Sequence, residues 1–478
     1  MSDSPAVSVP QDPNETPILD ALLNIRTELE LLRHDKSQHI KSQDIIPHYE
    51  KVIKQVKILN EIRREKRYEQ NRVDHILDDC FRLISLSFLA SGKTCEPPAV
   101  YAAVSTIKRL LDHLKEAAFF CRGDLDGISK TLKRYRRCCA EGEDSHDAEL
   151  IILLDARLDI CQETLDDLYL SLSNLTPEDS KCYSTLVSIL RSLSNLNTKK
   201  TFPKKEVDAF VSQLKEIEEN MKVEHKVDTT GRSYEEIYST ILTENREKEQ
   251  KCGPRPADAL INELLYRCFL WAEIITARQG KIDERFQEPY EKLVNVRNKL
   301  ENLVLCSTWS IRETDLYGYQ RTLDKYDDTR VNGNFVDANG NPADLHAQRT
   351  LLYLIRKSYA LIYHLIVSSE PVSSALLPVY NQLKTLKDCL IQVGKAGGVS
   401  SPQELYPYSM KLNSIENTRV DGKFMVNGDA PDGQEALDAL VKECVKLATD
   451  LRDGAKTEEE SQTPSAPSLE TREPTAVN

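Results

Sequence analysis

Apolar residues recur at spacings of three and four along almost the whole chain. Ile18, Leu22, Ile25, Leu29 and Leu32 form one helical face, with Thr16 placed to cap it and Pro17 at its first helical position. Val73, Ile76, Leu77, Cys80, Phe81 and Ile84 form a second stripe, and Val104, Ile107, Leu111 and Leu114 a third. Leu150, Leu154, Leu158, Cys161, Leu165, Leu168, Leu172 and Leu175 hold the same spacing over a long bundle seam. The pattern predicts helices near 70–90, 98–121, 124–138, 148–174 and 178–196, and again near 257–279, 287–305, 312–326, 345–368 and 372–392. Helical segments near 205–223 and 233–249 join the two sets.

The two sets are copies of each other. Cys80-Phe81 recurs as Cys268-Phe269, Gly92-Lys93 as Gly280-Lys281, and Tyr169 and Pro177 as Tyr363 and Pro371. The segment DLDGISKTLKRY from Asp124 recurs as DLYGYQRTLDKY from Asp315. A third, partial copy follows, because ELYPYSMKLNSIENTRVDGKF from Glu404 matches DLYGYQRTLDKYDDTRVNGNF from Asp315. The sequence therefore predicts an all-α protein of tandem duplicated helical-bundle modules, with an extended α-solenoid as the alternative. The expected boundaries are module 1 at 16–200, connecting helices at 201–256, module 2 at 257–393, a linker at 394–402 and the partial repeat at 403–454. The duplication also predicts that 257–454 folds without the first module.

Composition agrees with this picture and narrows the chemistry. Charged residues make up 29% and apolar ones 40%, and Gly at 17 is too sparse for the turns of an all-β chain. Residues 1–15 and 455–478 are rich in Pro, Ser, Thr and Glu and poor in large apolar residues, which predicts disordered tails and places modification there. A net charge of −13 argues against coating nucleic acid, which needs a surplus of Lys and Arg. The first residues lack the basic and apolar runs of a signal peptide, and no stretch reaches the ~18 apolar residues of a membrane span. The twelve cysteines include no C-x-x-C pair, which points to a reduced compartment, cytoplasm and nucleus.

Candidate chemistry is sparse. TRV-NG-NF and TRV-DG-KF place Asn332-Gly333 and Asp421-Gly422 between β-favouring residues, the pattern of a two-residue hairpin turn. Arg330 and Arg419 in these loops either present guanidinium forks to a carboxylate or phosphate of a partner, or tie their loops to acids such as Asp327, Asp328 and Glu416; the second reading is the one expected. DANGNP from Asp337 fails as a calcium loop, because Pro342 and Gln348 stand where Gly and Glu belong, and reads as a helix start with Asn341 capping. Ser91-Gly92-Lys93-Thr94 imitates a phosphate loop but reads as a helix C-terminus. Lys130, Lys133, Arg134, Arg136 and Arg137 form a basic cluster at the end of a helix, and Lys199, Lys200, Lys204 and Lys205 a second. The nine His show neither metal-binding spacing nor a partner for a nucleophile, so no metal, cofactor or catalytic residue is assigned.

The body of the chain, most specifically TRVNGNFVDANGNP around Arg330, resembles a fungal family that carries a tandem domain of unknown function. That resemblance implies a soluble intracellular protein of cytoplasm and nucleus, and it supplies no activity and no catalytic residues. The expected function is a non-enzymatic interaction or adaptor protein. An enzyme with a groove site between modules, or a phosphate- or phosphopeptide-binding module using the TRVxGxF loops, are the alternatives.

Overall fold

In the computed structural model, residues 8–10, 12–35, 39–64, 70–199, 201–221, 232–233, 236, 240, 256–305 and 313–462 are described. The expected helix at 233–249 and Lys200 lie outside these residues, apart from single positions of that helix. The chain is all-α. Its helices are α1 (Thr16–His34), α2 (Ser42–Arg63), α3 (Arg72–Ala90), α4 (Pro97–Ala117), α5 (Arg122–Glu141), α6 (Ala148–Ser171), α7 (Pro177–Asn197) and α8 (Lys204–Asn220). They continue as α9 (Ala257–Arg278), α10 (Gln287–Leu305), α11 (Leu316–Asp328), α12 (Leu345–Val367), α13 (Leu377–Lys395), α14 (Tyr406–Glu416) and α15 (Gln434–Gln462).

Among the described residues these helices group, in chain order, into five three-helix bundles. In each bundle the first and third helices make the widest contact and the middle one packs against both. This arrangement refines the expected duplication. The match between Asp315 and Glu404 extends one helix upstream, so α13 stands to α14 and α15 as α10 stands to α11 and α12.

The boundaries differ from those expected. The chain divides into two compact units, one ending at Glu370 and the other beginning at Pro371. Within the first, α3 packs on α4 and α12 folds back onto α4, so residues from Ile18 to Leu168 share one apolar core with residues from Phe286 to Ile366. A second core joins α7, α8 and α9 around Leu186, Leu193, Val207, Leu214, Cys268 and Trp271. The 200 and 257 boundaries therefore cut through the first unit, because each copy leaves apolar faces that only the other copy covers. In the second unit, Leu383, Leu386 and Leu390 of α13 pack with Leu412, Phe424, Leu437 and Cys444. The expected linker at 394–402 is an internal loop of that bundle, with Val399 in its core.

Both tails are shorter than expected. Ser8 accepts a backbone hydrogen bond from Arg72, a 3-10 turn covers Pro13–Glu15, and the buried Glu15 carboxylate accepts from Arg63 Nε at 2.8 Å and Asn71 Nδ2 at 2.7 Å. α1 begins at Thr16 itself, one residue earlier than a Thr16 cap implies. At the other end α15 runs past 454 to Gln462.

The hairpins form as the sequence predicts. Asn332 and Gly333 take φ of 50° and 80°, and Val331 pairs with Asn334. Asp421 and Gly422 take φ of 52° and 76° between β1 (Arg419–Val420) and β2 (Lys423–Phe424). Positive φ at both central residues is the two-residue turn whose twist matches paired strands. DANGNP is corrected: Asp337 Oδ1 accepts from Asn339 and Asn341, and helix α12 starts after Asp344, whose side chain caps Ala347. Ser91-Gly92 ends α3, with Ser91 Oγ bonded to the Phe88 carbonyl and Lys93 paired to Glu96.

Candidate functional site

The two loop arginines brace their own loops, and they do so in the same way. Arg330 Nη1 donates to the Gly333 carbonyl at 3.0 Å and Arg419 Nη1 to the Gly422 carbonyl at 3.1 Å, closing each turn from within. Each also pairs with the acid three residues earlier, Arg330 with Asp327 at 2.8 Å and Arg419 with Glu416 at 3.0 Å. Arg419 adds Asp438 at 2.5 Å and lies over the Phe424 ring. The Phe335 backbone is held at both its N–H and C=O by Gln348, and that of Phe424 by Gln434. Arg330→Ala is expected to lower stability by about 1–3 kcal/mol, since Asp327 and Glu116 lose a partner in a half-buried site. Arg419→Ala should cost about 1 kcal/mol or less, because its acids are more exposed. Urea unfolding of the two variants measures both, and equal losses would contradict this ranking.

Arg330 also reaches across the fold. Its Nη1 donates to Glu116 Oε1 of α4 at 2.6 Å, a contact that places the loop at one end of a chain of alternating charges. The chain starts on α6 and α3, where Asp78 meets Arg157 at 3.0 Å, Arg82 at 2.7 Å and the Tyr101 hydroxyl at 2.6 Å. Arg82 also pairs with Asp324 of α11, which accepts from the Tyr359 hydroxyl at 2.6 Å. Arg109 of α4 bridges Asp327 and Asp328 at 3.4 and 3.2 Å, and His113 Nε2 lies 3.2 Å from Asp327. Glu116 ends the chain, shared by Arg330, by His113 Nδ1 at 3.5 Å and by Arg356 of α12 at 3.4 Å. Burial alone would raise the Glu116 carboxyl, but His113, Arg330 and Arg356 bring it down to about 2.

Glu116 and Arg356 open onto a cavity of about 810 Å³ lined from α4, α5, α7, α9, α10 and α12. Arg349, Leu352, Tyr353, Arg356, Lys357, Ala360 and Tyr363 give one wall, and Ser184, Val187, Ser188, Arg191 and Asn195 the facing one. The α12 set repeats at three and four residues, so that wall is a single helical face, whereas the α7 wall also takes in Leu190, Ser192 and Ser194. The α12 face carries three cations in that short stretch, and α9 contributes Arg267.

The acids on the lining already have partners. Asp124 takes Arg191 in two contacts, at 2.6 and 3.2 Å, Glu301 sits 3.7 Å from Arg297, and Glu116 is held by Arg330. Among the cations, Arg267 donates to the Ala117 and Ala118 carbonyls and lies over the Phe119 ring, and Arg349 lies over the Trp271 ring. Lys357 is half-buried and has no hydrogen-bond or ion-pair partner among the described residues. Burial next to Arg267 and Arg330, only partly offset by Glu116, pushes the Arg356 guanidinium down to about 10. Three donors on lining residues, Arg267 Nε, Arg356 Nε and Trp271 Nε1, are buried without an acceptor.

The basic cluster on α5 is elsewhere. Arg136 pairs with Asp159 at 2.6 Å, Arg134 lies on the Tyr135 ring and bonds its hydroxyl, and Lys133 and Arg137 are exposed, none of them lining the cavity. In the second cluster Lys199 pairs with Glu206. Sequence reasoning found Arg330 but not the cavity it supports. The one local signal for the cavity is the RKSY stretch from Arg356, two adjacent cations between the apolar runs 351–355 and 359–363.

Residues 172–313 match a protein family of unknown function, DUF2408. A CUB1 family protein of Schizosaccharomyces pombe is 36% identical over 462 residues, covering 95% of this chain and 95% of that protein. The Cu(2+) suppressing and bleomycin sensitive protein 1 of Saccharomyces cerevisiae is 32% identical over 509 residues, covering 94% of this chain and 92% of that protein. No solved structure matches the chain. Identity at this level along nearly the whole length of both relatives shows that the chain belongs to the CUB1 family.

Proposed function

We propose that the protein is a non-enzymatic binding protein of the cytoplasm and nucleus that holds an anionic group of a partner in the cavity between α7 and α12. The observation that carries this reading is the pair Arg356 and Lys357 on one wall: Arg356 shares its one carboxylate, Glu116, with Arg330, and Lys357 has no partner among the described residues. A buried positive charge without its counter-ion is costly, and an anion entering the cavity would remove that cost.

Several features of the lining favour binding over catalysis. The Asp124 carboxylate is kept ionised by Arg191 against the effect of burial, and burial together with Asp124 pushes the Cys121 thiol up, away from nucleophilic use. Ser184, Ser188 and Ser192 line the cavity with no histidine among the lining residues to activate them. The name of the budding-yeast relative refers to Cu(2+) and bleomycin. Among the described residues no group of three or more His, Cys, Asp or Glu side chains could hold a metal ion, and the present reading invokes none. No helix among the described residues is long and apolar enough to cross a membrane.

The test is Lys357→Glu. Because Lys357 has no partner, the variant should keep its unfolding free energy within about 0.5 kcal/mol of the parent. Its binding of pyrophosphate, measured by titration calorimetry, should be abolished. Pyrophosphate binding that survives the charge reversal, or that is absent from the parent, would overturn the reading.

A further inference from the structure

We propose that the group held in the cavity is the phosphate of a phosphate monoester whose organic part is aromatic or apolar. The proposal rests on the anion-binding reading above and adds the identity of the anion.

Charge is the first argument. Of the three acids of the lining, Asp124 has Arg191 and Glu301 has Arg297, while Glu116 is shared by Arg356 and by Arg330, which also pairs with Asp327. The Lys357 charge is then unmet, and Arg356 beside it holds only a share of one carboxylate, so the positive charge at these neighbouring positions exceeds one unit. A carboxylate brings a single negative charge, whereas a phosphate monoester carries about −1.5 to −2 near neutral pH, with its second ionisation near ~6.

Hydrogen-bonding capacity is the second. Arg356 has one charged partner, Glu116 at 3.4 Å, for a guanidinium that carries five N–H groups. The Lys357 ammonium adds further donors on the same wall. Surplus of this one sign calls for a ligand made of acceptors. Phosphate offers three terminal oxygens to guanidinium forks, and arginine binds it in a planar two-point geometry.

Shape is the third. Leu110, Leu114, Val187, Leu190 and Leu352 share the cavity with Tyr353, and a volume of about 810 Å³ is far larger than an inorganic phosphate needs. An organic body packed against these apolar groups accounts for the remaining space. That body belongs either to a free small ester or to a phosphorylated side chain of a partner protein.

Titration calorimetry of the full chain with phenyl phosphate, benzoate and inorganic phosphate tests the idea. Phenyl phosphate should bind at least about 10-fold more tightly than either of the others. Its affinity should rise between about pH 5.5 and 7, as the ester gains its second charge. Lys357→Ala should weaken phenyl phosphate by about fivefold or more while leaving the melting temperature unchanged. A tyrosine-phosphorylated peptide that binds more tightly than phenyl phosphate identifies the phosphorylated chain as the source, and one that is excluded identifies the small ester. Benzoate binding as tightly as phenyl phosphate, with no rise in affinity over that pH range, would overturn the phosphate assignment and leave the anion site standing. If none of the three anions binds, both readings fall.

Discussion

Replacing Arg82 with Ala is expected to lower the unfolding free energy by about 3–5 kcal/mol, the largest effect of any single exposed or buried charge considered above. Arg82 lies on α3 with only 8% of its surface exposed and pairs with Asp78 and with Asp324. Its removal leaves both carboxylates inside the protein with part of their compensation gone, although Arg157, Tyr101 and Tyr359 stay in place. Burial alone would raise the Asp78 carboxyl, but Arg82 and Arg157 drive it well below the ordinary carboxylate range. A carboxylate whose folded pKa is depressed contributes stability that is present above its unfolded pKa and lost as pH falls through the folded one. The parent should therefore lose stability on acidification, and Arg82→Ala should show a smaller loss over the same range. Urea unfolding between pH 7 and 3 measures both quantities. A cost below about 1 kcal/mol would show that the charge chain is not held together as described.

A fragment of residues 257–370 is expected not to fold cooperatively, even though the internal duplication marks it as most of a copy. Its helices α10 to α12 bury Leu293, Leu300, Leu351, Leu354 and Ile362 in the same core as Leu22, Ile76, Val104 and Leu158 of the first copy. Its first helix, α9, buries Cys268 and Trp271 against α7 and α8. Cut away, the fragment exposes those faces to water, at roughly 25 cal/mol for each Å² of apolar surface. Residues 371–462, by contrast, contain a complete three-helix bundle with its own core and should melt cooperatively alone. Thermal unfolding followed by circular dichroism separates the cases. A sharp transition from 257–370 would show that each copy closes its own core after all.

The local elements were legible because their signals are local. Periodic apolar positions gave the helices near 257–279, 287–305 and 345–368 within a few residues of α9, α10 and α12. Asn-Gly and Asp-Gly gave the hairpins, and the Asp327 brace of Arg330 was readable because it lies one helical turn away in the chain. A third such turn at Asn427-Gly428 went unread although it carries the same signal. Longer-range partners left no trace. Arg82 finds Asp324 and Arg330 finds Glu116 across more than half of the first compact unit, and single acids among so many surface charges carry no mark of that destination. The cavity is hidden for the same reason. It exists only where α12 folds back beside α4 and α7, and the duplication suggested instead that the copies stand apart.

The fluorescence of Trp271 tests the central claim, that an anion enters this cavity, most directly. The chain has two tryptophans, so Trp309→Phe leaves Trp271, on the cavity wall and 1% exposed, as the sole emitter at long-wavelength excitation. Pyrophosphate added to that protein should shift or quench the emission along a saturable curve, and the added charge reversal Lys357→Glu should flatten it. Emission that stays constant up to millimolar pyrophosphate, or that responds equally with Glu at position 357, would contradict the account.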